Sequence, residues 1–165
     1  MDPGSDTAGS QYSFSSRWHI SAPHEQVWGV FEDLLTAEDP FVWWPGMNSE
    51  RRGGEDIHVS AGSPFGYTLR FRLHDVVPTP KEQVTLLSDG DLAGHAAMLL
   101  SPVDDQNSAI DVSWHVDVTP RWMRMASFAF RPVFVMAHDA VMRAGERGLN
   151  AWLLAEQRRD SDPVG

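Results

Sequence analysis

The sequence predicts an α+β domain in which an antiparallel sheet faces one long C-terminal helix. In the segment 121–154, apolar residues recur at three- and four-residue steps, the spacing of one helical face. Six or seven short extended segments precede it, separated by Gly and Pro. The later segments follow one another too closely for helical crossovers, so we expect them to pair antiparallel.

The length of 165 residues suits one domain with its own core. We expect this domain to span residues 12–156. The flanking residues 1–11 and 157–165 are charged or rich in Ser, Asp, Gly and Pro, and are predicted to be disordered tails. The N-terminus resembles no signal peptide and no apolar run approaches membrane-spanning length, so a cytoplasmic protein without a membrane span is expected.

The composition argues against several classes of function. A net charge of −10, with a single Lys, opposes nucleic-acid binding, which requires a basic surface. The absence of Cys excludes a disulfide framework and a thiolate nucleophile. The sequence has no HExxH motif, no nucleophile elbow and no phosphate-binding loop in a strand-to-helix context, so no metal and no cofactor are predicted.

The first elements are a strand and a short helix. Tyr12–Ile20 alternates apolar and polar residues, as a half-buried strand does. Ser21-Ala22-Pro23 then opens a helix that ends before Pro40, because proline is favoured in a first turn and disfavours helix before it. Its predicted buried face contains Val27, Phe31 and either Leu34 or Leu35.

An aromatic loop, residues 41–47, follows the short helix. It contains Trp43 and Trp44 in succession. Neighbouring side chains of an extended segment point in opposite directions. We therefore expect only one of the two rings to face the core and the other to line a cleft or its mouth.

Five further strands are predicted from alternation and from the turns between them, at Asp56–Ala61, Tyr67–Val76, Glu82–Ser88, Ala93–Leu100 and Ala109–Val118. In the last strand Trp114 and its alternate neighbours take the inner face, which places His115 and Asp117 on the outer surface. Arg70 and Arg72 are expected outside by the same rule. The alternative register would bring a guanidinium inside to hold an anionic ligand.

The long helix is expected from Val133 to Glu156. One stripe contains His138, between Phe134 and Met142. A second stripe consists of small residues that allow close packing: Ala137, Ala140, Ala144, Gly148 and Ala151. Pro132 is expected to break or kink the helical region, which would make 122–130 a semi-independent lid.

A single helix cannot fill the concavity of a curved sheet of six or seven strands, so an apolar cavity is expected between them. His138 is the candidate catalytic residue, as a general base, or it hydrogen-bonds a ligand. The alternative is a core histidine bonded to a strand backbone or to a carboxylate. The residues predicted to line the cavity are Trp44, Phe71, Trp114, Met125, Phe128, Phe134, His138 and Met142.

Four stretches together resemble the START-like helix-grip superfamily (SRPBCC), in particular bacterial polyketide cyclase/dehydrase-type proteins. They are SAPHEQVW at 21–28, WWPG at 43–46, GDLAG at 90–94, and the stretch 131–146, which begins with RPVF and ends with AGE. The resemblance covers nearly all of the chain between the tails. It implies a seven-stranded antiparallel sheet that grips a long C-terminal helix around a hydrophobic ligand cavity.

Three hypotheses of function follow. The first is a START-like domain that binds a hydrophobic small molecule, polyketide-, lipid- or aromatic-like. The second is a polyketide cyclase, aromatase or dehydratase that uses the shape of the cavity and His138. The third is a partner-interaction domain. No catalytic set of the cyclases maps residue by residue onto this sequence, and a shared fold does not fix the function.

Overall fold

The computed structural model describes residues 11–118 and 127–162. Residues 1–10 of the predicted N-terminal tail (1–11) and residues 163–165 of the predicted C-terminal tail (157–165) lie outside the described residues, as do residues 122–126 of the predicted lid. Within the described part, the last helix ends at Ser161, past the predicted domain boundary at residue 156.

The described residues form seven strands and two helices in the predicted α+β order. Their bounds are β1 Gln11–Ile20, α1 His24–Thr36, β2 Met47–Arg52, β3 Asp56–Gly62, β4 Thr68–Thr79, β5 Gln83–Gly90, β6 Leu92–Pro102, β7 Ser108–Val118 and α2 Ser127–Ser161. The strands make one curved antiparallel sheet in the order β1-β7-β6-β5-β4-β3-β2. The predicted fold class is confirmed.

Strand β2 was not among the strands that alternation predicts. Its sequence, MNSERR, has no apolar residue after Met47, and none of its residues is fully buried. It forms because its backbone pairs along β3, with Ser49 opposite Val59. As an edge strand in contact with solvent it needs no hydrophobic face, and its charged side chains protect that edge from pairing with other chains.

The predicted register of β4 and β7 is confirmed. Leu69, Phe71 and Leu73 are buried, whereas Arg70 is exposed. In β7, Val116 is buried and its neighbour His115 is exposed. One sheet face therefore carries the apolar side chains toward α2, and the other carries the charged ones toward solvent.

Helix α2 is continuous through Pro132, so the predicted break is not present. Pro132 is exposed and lies near the helix start at Ser127. A proline here removes one internal hydrogen bond, and helix on both sides of it is retained. Further along, Leu149 and Leu153 are each 1% exposed and anchor the helix in the core.

Trp43 and Trp44 do not point in opposite directions. The segment before β2 is a turn and not an extended strand, with the Trp44 amide bonded to the Phe41 carbonyl at 2.8 Å. The two indole rings stack, with centroids 5.4 Å apart and planes 18° apart. Both rings also meet Trp18 edge-on. The expectation failed because its premise, an extended backbone, does not hold here.

Candidate ligand cavity

A cavity of about 60 Å³ lies between the inner face of the sheet and α2. The helix contributes the side chains of successive inward positions to its wall, and the sheet and its turns contribute the rest. The bordering residues are Met47, Ala61, Gly62, Ser63, Tyr67, Leu69, Phe71, Leu92, Trp114, Phe134, Ala137, His138 and Val141. Most of these side chains are apolar or aromatic, which is typical of ligand pockets.

The structure brings together some of the residues predicted to line a cavity. Phe71, Trp114, Phe134 and His138 border it. Two others are buried without bordering it, Trp44 at 8% and Met142 at 5% exposure. Met125 and the side chain of Phe128 lie outside the described residues.

Trp44 contributes to the cavity indirectly. Its indole Nε1 donates a hydrogen bond to the carbonyl of Val141, at 2.9 Å. Val141 is in turn a wall residue. The bond fixes the position of α2 relative to the loop before β2, and thereby holds the helical wall of the cavity in place.

His138 has an apolar environment within this wall. Its ring stacks on Phe14, with centroids 3.8 Å apart and planes 15° apart. Burial lowers the pKa of His138 from 6.5 to about 4, and the neighbouring Asp139 carboxylate is a smaller, opposing influence. The nearest oxygen of Asp139 is 4.0 Å from Nδ1, too far for a hydrogen bond. The imidazole is therefore neutral at neutral pH.

Two buried polar atoms of the wall residues lack a hydrogen-bond partner among the described residues. They are Nδ1 of His138 and Nε1 of Trp114. The Trp114 ring is held edge-on against Phe71, with centroids 5.4 Å apart. Buried polar groups are rarely left unpaired in native proteins, so these two atoms are candidates for contact with a ligand.

Tyr67 is a further polar wall residue, and sequence reasoning missed it. Burial raises the pKa of its hydroxyl, and a hydrogen bond with Ser63 opposes this. Alternation already places Tyr67 on the face of Leu69 and Phe71, which was a usable signal. Met47, Ala61, Gly62 and Ser63 lie at strand ends and in a turn, where periodicity gives no indication of orientation.

A larger depression, about 650 Å³, lies on the opposite, outer face of the sheet. Arg72, which lines it, pairs with Asp89 in the same lining and also with Asp56, at 2.9 Å. Arg70 lies on this outer side as well. The predicted alternative, a guanidinium inside the sheet, is therefore wrong, and this solvated surface is no pocket for an apolar ligand.

The outer face of β7 carries the predicted surface residues. His115 is exposed, and its Nδ1 lies 2.8 Å from the Ser13 hydroxyl of β1. On the adjacent strand, His95 faces it, with ring centroids 4.9 Å apart.

No group of three or more His, Cys, Asp or Glu able to hold a metal ion occurs among residues 11–118 and 127–162. Within the same ranges, no helix is both long and apolar enough to cross a membrane.

Comparison with solved structures identifies the class of fold. TTHA0849 from Thermus thermophilus superposes with a TM-score of 0.71 at 15% identity, over 88% of this chain and 99% of that one. The Zhui aromatase/cyclase from Streptomyces sp. R1128 gives 0.67 at 13% identity, over 94% and 98% of the chains. A START superfamily protein from Mycobacterium smegmatis gives 0.60 at 12% identity, over 87% and 97%.

The chain therefore has the helix-grip fold of START-like proteins, as the resemblance in its sequence implied. Neither a scan against protein-family models nor a search of curated proteins found a match. At identities this low the likeness establishes the architecture only, and the function has to be argued from the cavity.

Proposed function

We propose that the protein binds a hydrophobic small molecule, polyketide-, lipid- or aromatic-like, in the cavity between the sheet and α2. The observation that carries this proposal is the composition of the wall. Aromatic and aliphatic side chains from several strands and the helix meet there, together with unpaired polar atoms on Trp114 and His138. An apolar pocket with a few polar groups is the usual design of a small-molecule site.

The size of the cavity limits how a ligand binds. Its volume of about 60 Å³ is well below the roughly 300–1,000 Å³ of most ligand pockets. A ligand of one ring or more therefore has to displace wall side chains, and the flexible, half-buried Met47 is suited to such movement. We expect association to be slow compared with binding to a preformed pocket, since the wall has to rearrange.

Binding is tested by titrating ¹⁵N-labelled protein with naphthalene and with methyl octanoate, one polycyclic and one neutral acyl probe. We expect amide shifts at wall residues such as Leu92 and Val141. The amides of Gln106 and Asn107, in the turn between β6 and β7 at the opposite end of β6 from Leu92, serve as the internal control and should keep their positions in the spectrum. Shifts confined to the outer face, or no shifts with either probe, would contradict the proposal.

A second candidate is a cyclase, aromatase or dehydratase that acts on a ligand in the same cavity. The position of His138 at the cavity wall favours it, because an imidazole there could exchange protons with a bound ketone. The lowered pKa of His138, about 4, makes the ring a weak base, however, and hydrogen bonding to a ligand is the better supported role. With a reactive poly-ketone as substrate, His138→Ala should abolish turnover and retain binding if the enzyme hypothesis holds; unchanged turnover would remove His138 from the mechanism.

A further inference from the structure

We infer that the cavity selects ligands that carry a hydroxyl group, of the phenol, enol or alcohol type, through Trp114 and His138. This inference rests on the proposed function and adds the chemistry by which a ligand is recognised. It follows from the hydrogen-bonding capacities of the two unpaired wall groups and from the absence of charge in the described wall.

Trp114 can act only as a donor. Its indole N–H has no acceptor among the described residues although the atom is buried, and contact with Phe71 fixes the ring. A ligand that satisfies this group must therefore present an acceptor, which a hydrocarbon lacks and an oxygen atom supplies.

His138 can act as either donor or acceptor. A neutral imidazole has one N–H and one lone pair, and the position of the proton depends on the partner. A hydroxyl group fits both tautomers, since it donates and accepts. A ketone or ether oxygen fits only the tautomer that donates. Among hydroxyl, ketone and ether groups, only the hydroxyl can therefore pair with Trp114 and with either form of His138.

Charged ligands fit this wall poorly. No Lys or Arg is among the residues that border the cavity in the described ranges. A carboxylate or phosphate would lose its hydration here and meet no cation among these bordering residues. The acidic class of lipids, including free fatty acids, is therefore disfavoured relative to neutral hydroxylated compounds.

The other unpaired buried atoms do not belong to this site. The indole nitrogens of Trp18 and Trp43 and the hydroxyl of Ser88 also lack partners among the described residues, but none of these residues borders the cavity. They therefore provide controls. Trp43→Phe removes an unpaired indole N–H just as Trp114→Phe does, at a position outside the cavity wall.

The test compares phenol with toluene, two probes of equal heavy-atom count. Binding is followed in ¹H–¹⁵N spectra, in which the indole N–H signal of Trp114 is assigned by its loss in Trp114→Phe. We expect phenol to bind about tenfold more tightly than toluene and to shift this signal, since one net hydrogen bond is worth roughly that factor. Trp114→Phe and His138→Phe should each reduce the ratio of phenol affinity to toluene affinity toward one, and Trp43→Phe should leave this ratio unchanged.

Three results would overturn the inference. Toluene binding as tightly as phenol would reject hydroxyl selection and leave the proposed function intact. An equal loss for both probes in Trp114→Phe would show that the indole serves packing alone. Failure of both probes, together with naphthalene and methyl octanoate, would reject the inference and the proposed function.

Discussion

The indole ring of Trp44 lies directly against Gly145 of α2. A Cβ atom on Gly145 would be 2.6 Å from Cε2 of Trp44 and 2.8 Å from Cη2 of Trp18. The helix and the aromatic cluster thus meet at a distance that only glycine permits. This close approach lets the same indole reach the Val141 carbonyl and position the wall of the cavity.

Replacing Gly145 by Ala should therefore destabilise the protein. Overpacking against two buried rings costs about 1–3 kcal/mol, which exceeds the gain of roughly 1 kcal/mol from the better helix former. The measurement is the free energy of unfolding in urea. Gly29→Ala is the matched control, because nothing lies within 4 Å of a Cβ at that position in α1, and it should be stabilising. Equal effects of the two substitutions would contradict the close packing.

The side chain of Asn150 should stabilise the packing of α2 against the end of β1. Its Oδ1 accepts from the backbone N–H of Ser21 at 2.8 Å, and its Nδ2 donates to the carbonyls of His19 at 2.9 Å and Glu146 at 3.0 Å. Asn150→Ala removes all three bonds and should lower the free energy of unfolding by about 1–3 kcal/mol. The exposed Asn48→Ala is the control, expected to change it by less than about 0.5 kcal/mol. Equal stability of the two variants would refute this role.

The low pKa of His138 predicts a pH dependence of stability. The folded state holds the ring neutral down to about pH 4, whereas the unfolded chain binds the proton near 6.5. Stability is therefore fully present above about pH 6.5 and is lost as the pH falls to about 4, by roughly 3 kcal/mol. Asp139 is the titratable neighbour of the His138 ring, and Tyr67 is the other titratable residue in the described wall of the cavity.

His138→Phe tests this by difference, since every other titrating group is common to both proteins. Urea unfolding at intervals from pH 7.5 to 4 should show the wild-type protein losing stability relative to the variant within that window. Parallel stability curves would mean that His138 is not held neutral by burial.

Much of the fold could be predicted because it depends on local patterns. The alternation around Phe71 and Trp114 identified the inner face of the sheet, and the apolar stripe of α2 identified Phe134 and His138. Strand β2 could not be found in this way, because an exposed edge strand such as MNSERR is defined by its partner β3. The stacked pair Trp43 and Trp44 was misinterpreted since a turn replaced the expected extended backbone.

The site could be predicted from the sequence less completely than the fold. Periodicity identifies which residues face inward, but it cannot separate Trp44, whose indole is bonded to Val141, from Trp114, whose indole is unpaired at the cavity. That distinction depends on contacts between distant segments. The lowered pKa of His138 likewise arises from burial against Phe14 in another element.

Filling the cavity tests the central claim most directly. Ala137 is 2% exposed and borders the cavity, so Ala137→Leu places extra side-chain volume in it, whereas Ala151→Leu adds the same atoms at an exposed position on α2. Native mass spectrometry of each protein, gently purified and then incubated with methyl octanoate, gives the readout. We expect a 1:1 complex for the wild-type protein and for Ala151→Leu, and the bare chain for Ala137→Leu. The same complex in Ala137→Leu, or none in the wild-type protein, would contradict ligand binding between the sheet and α2.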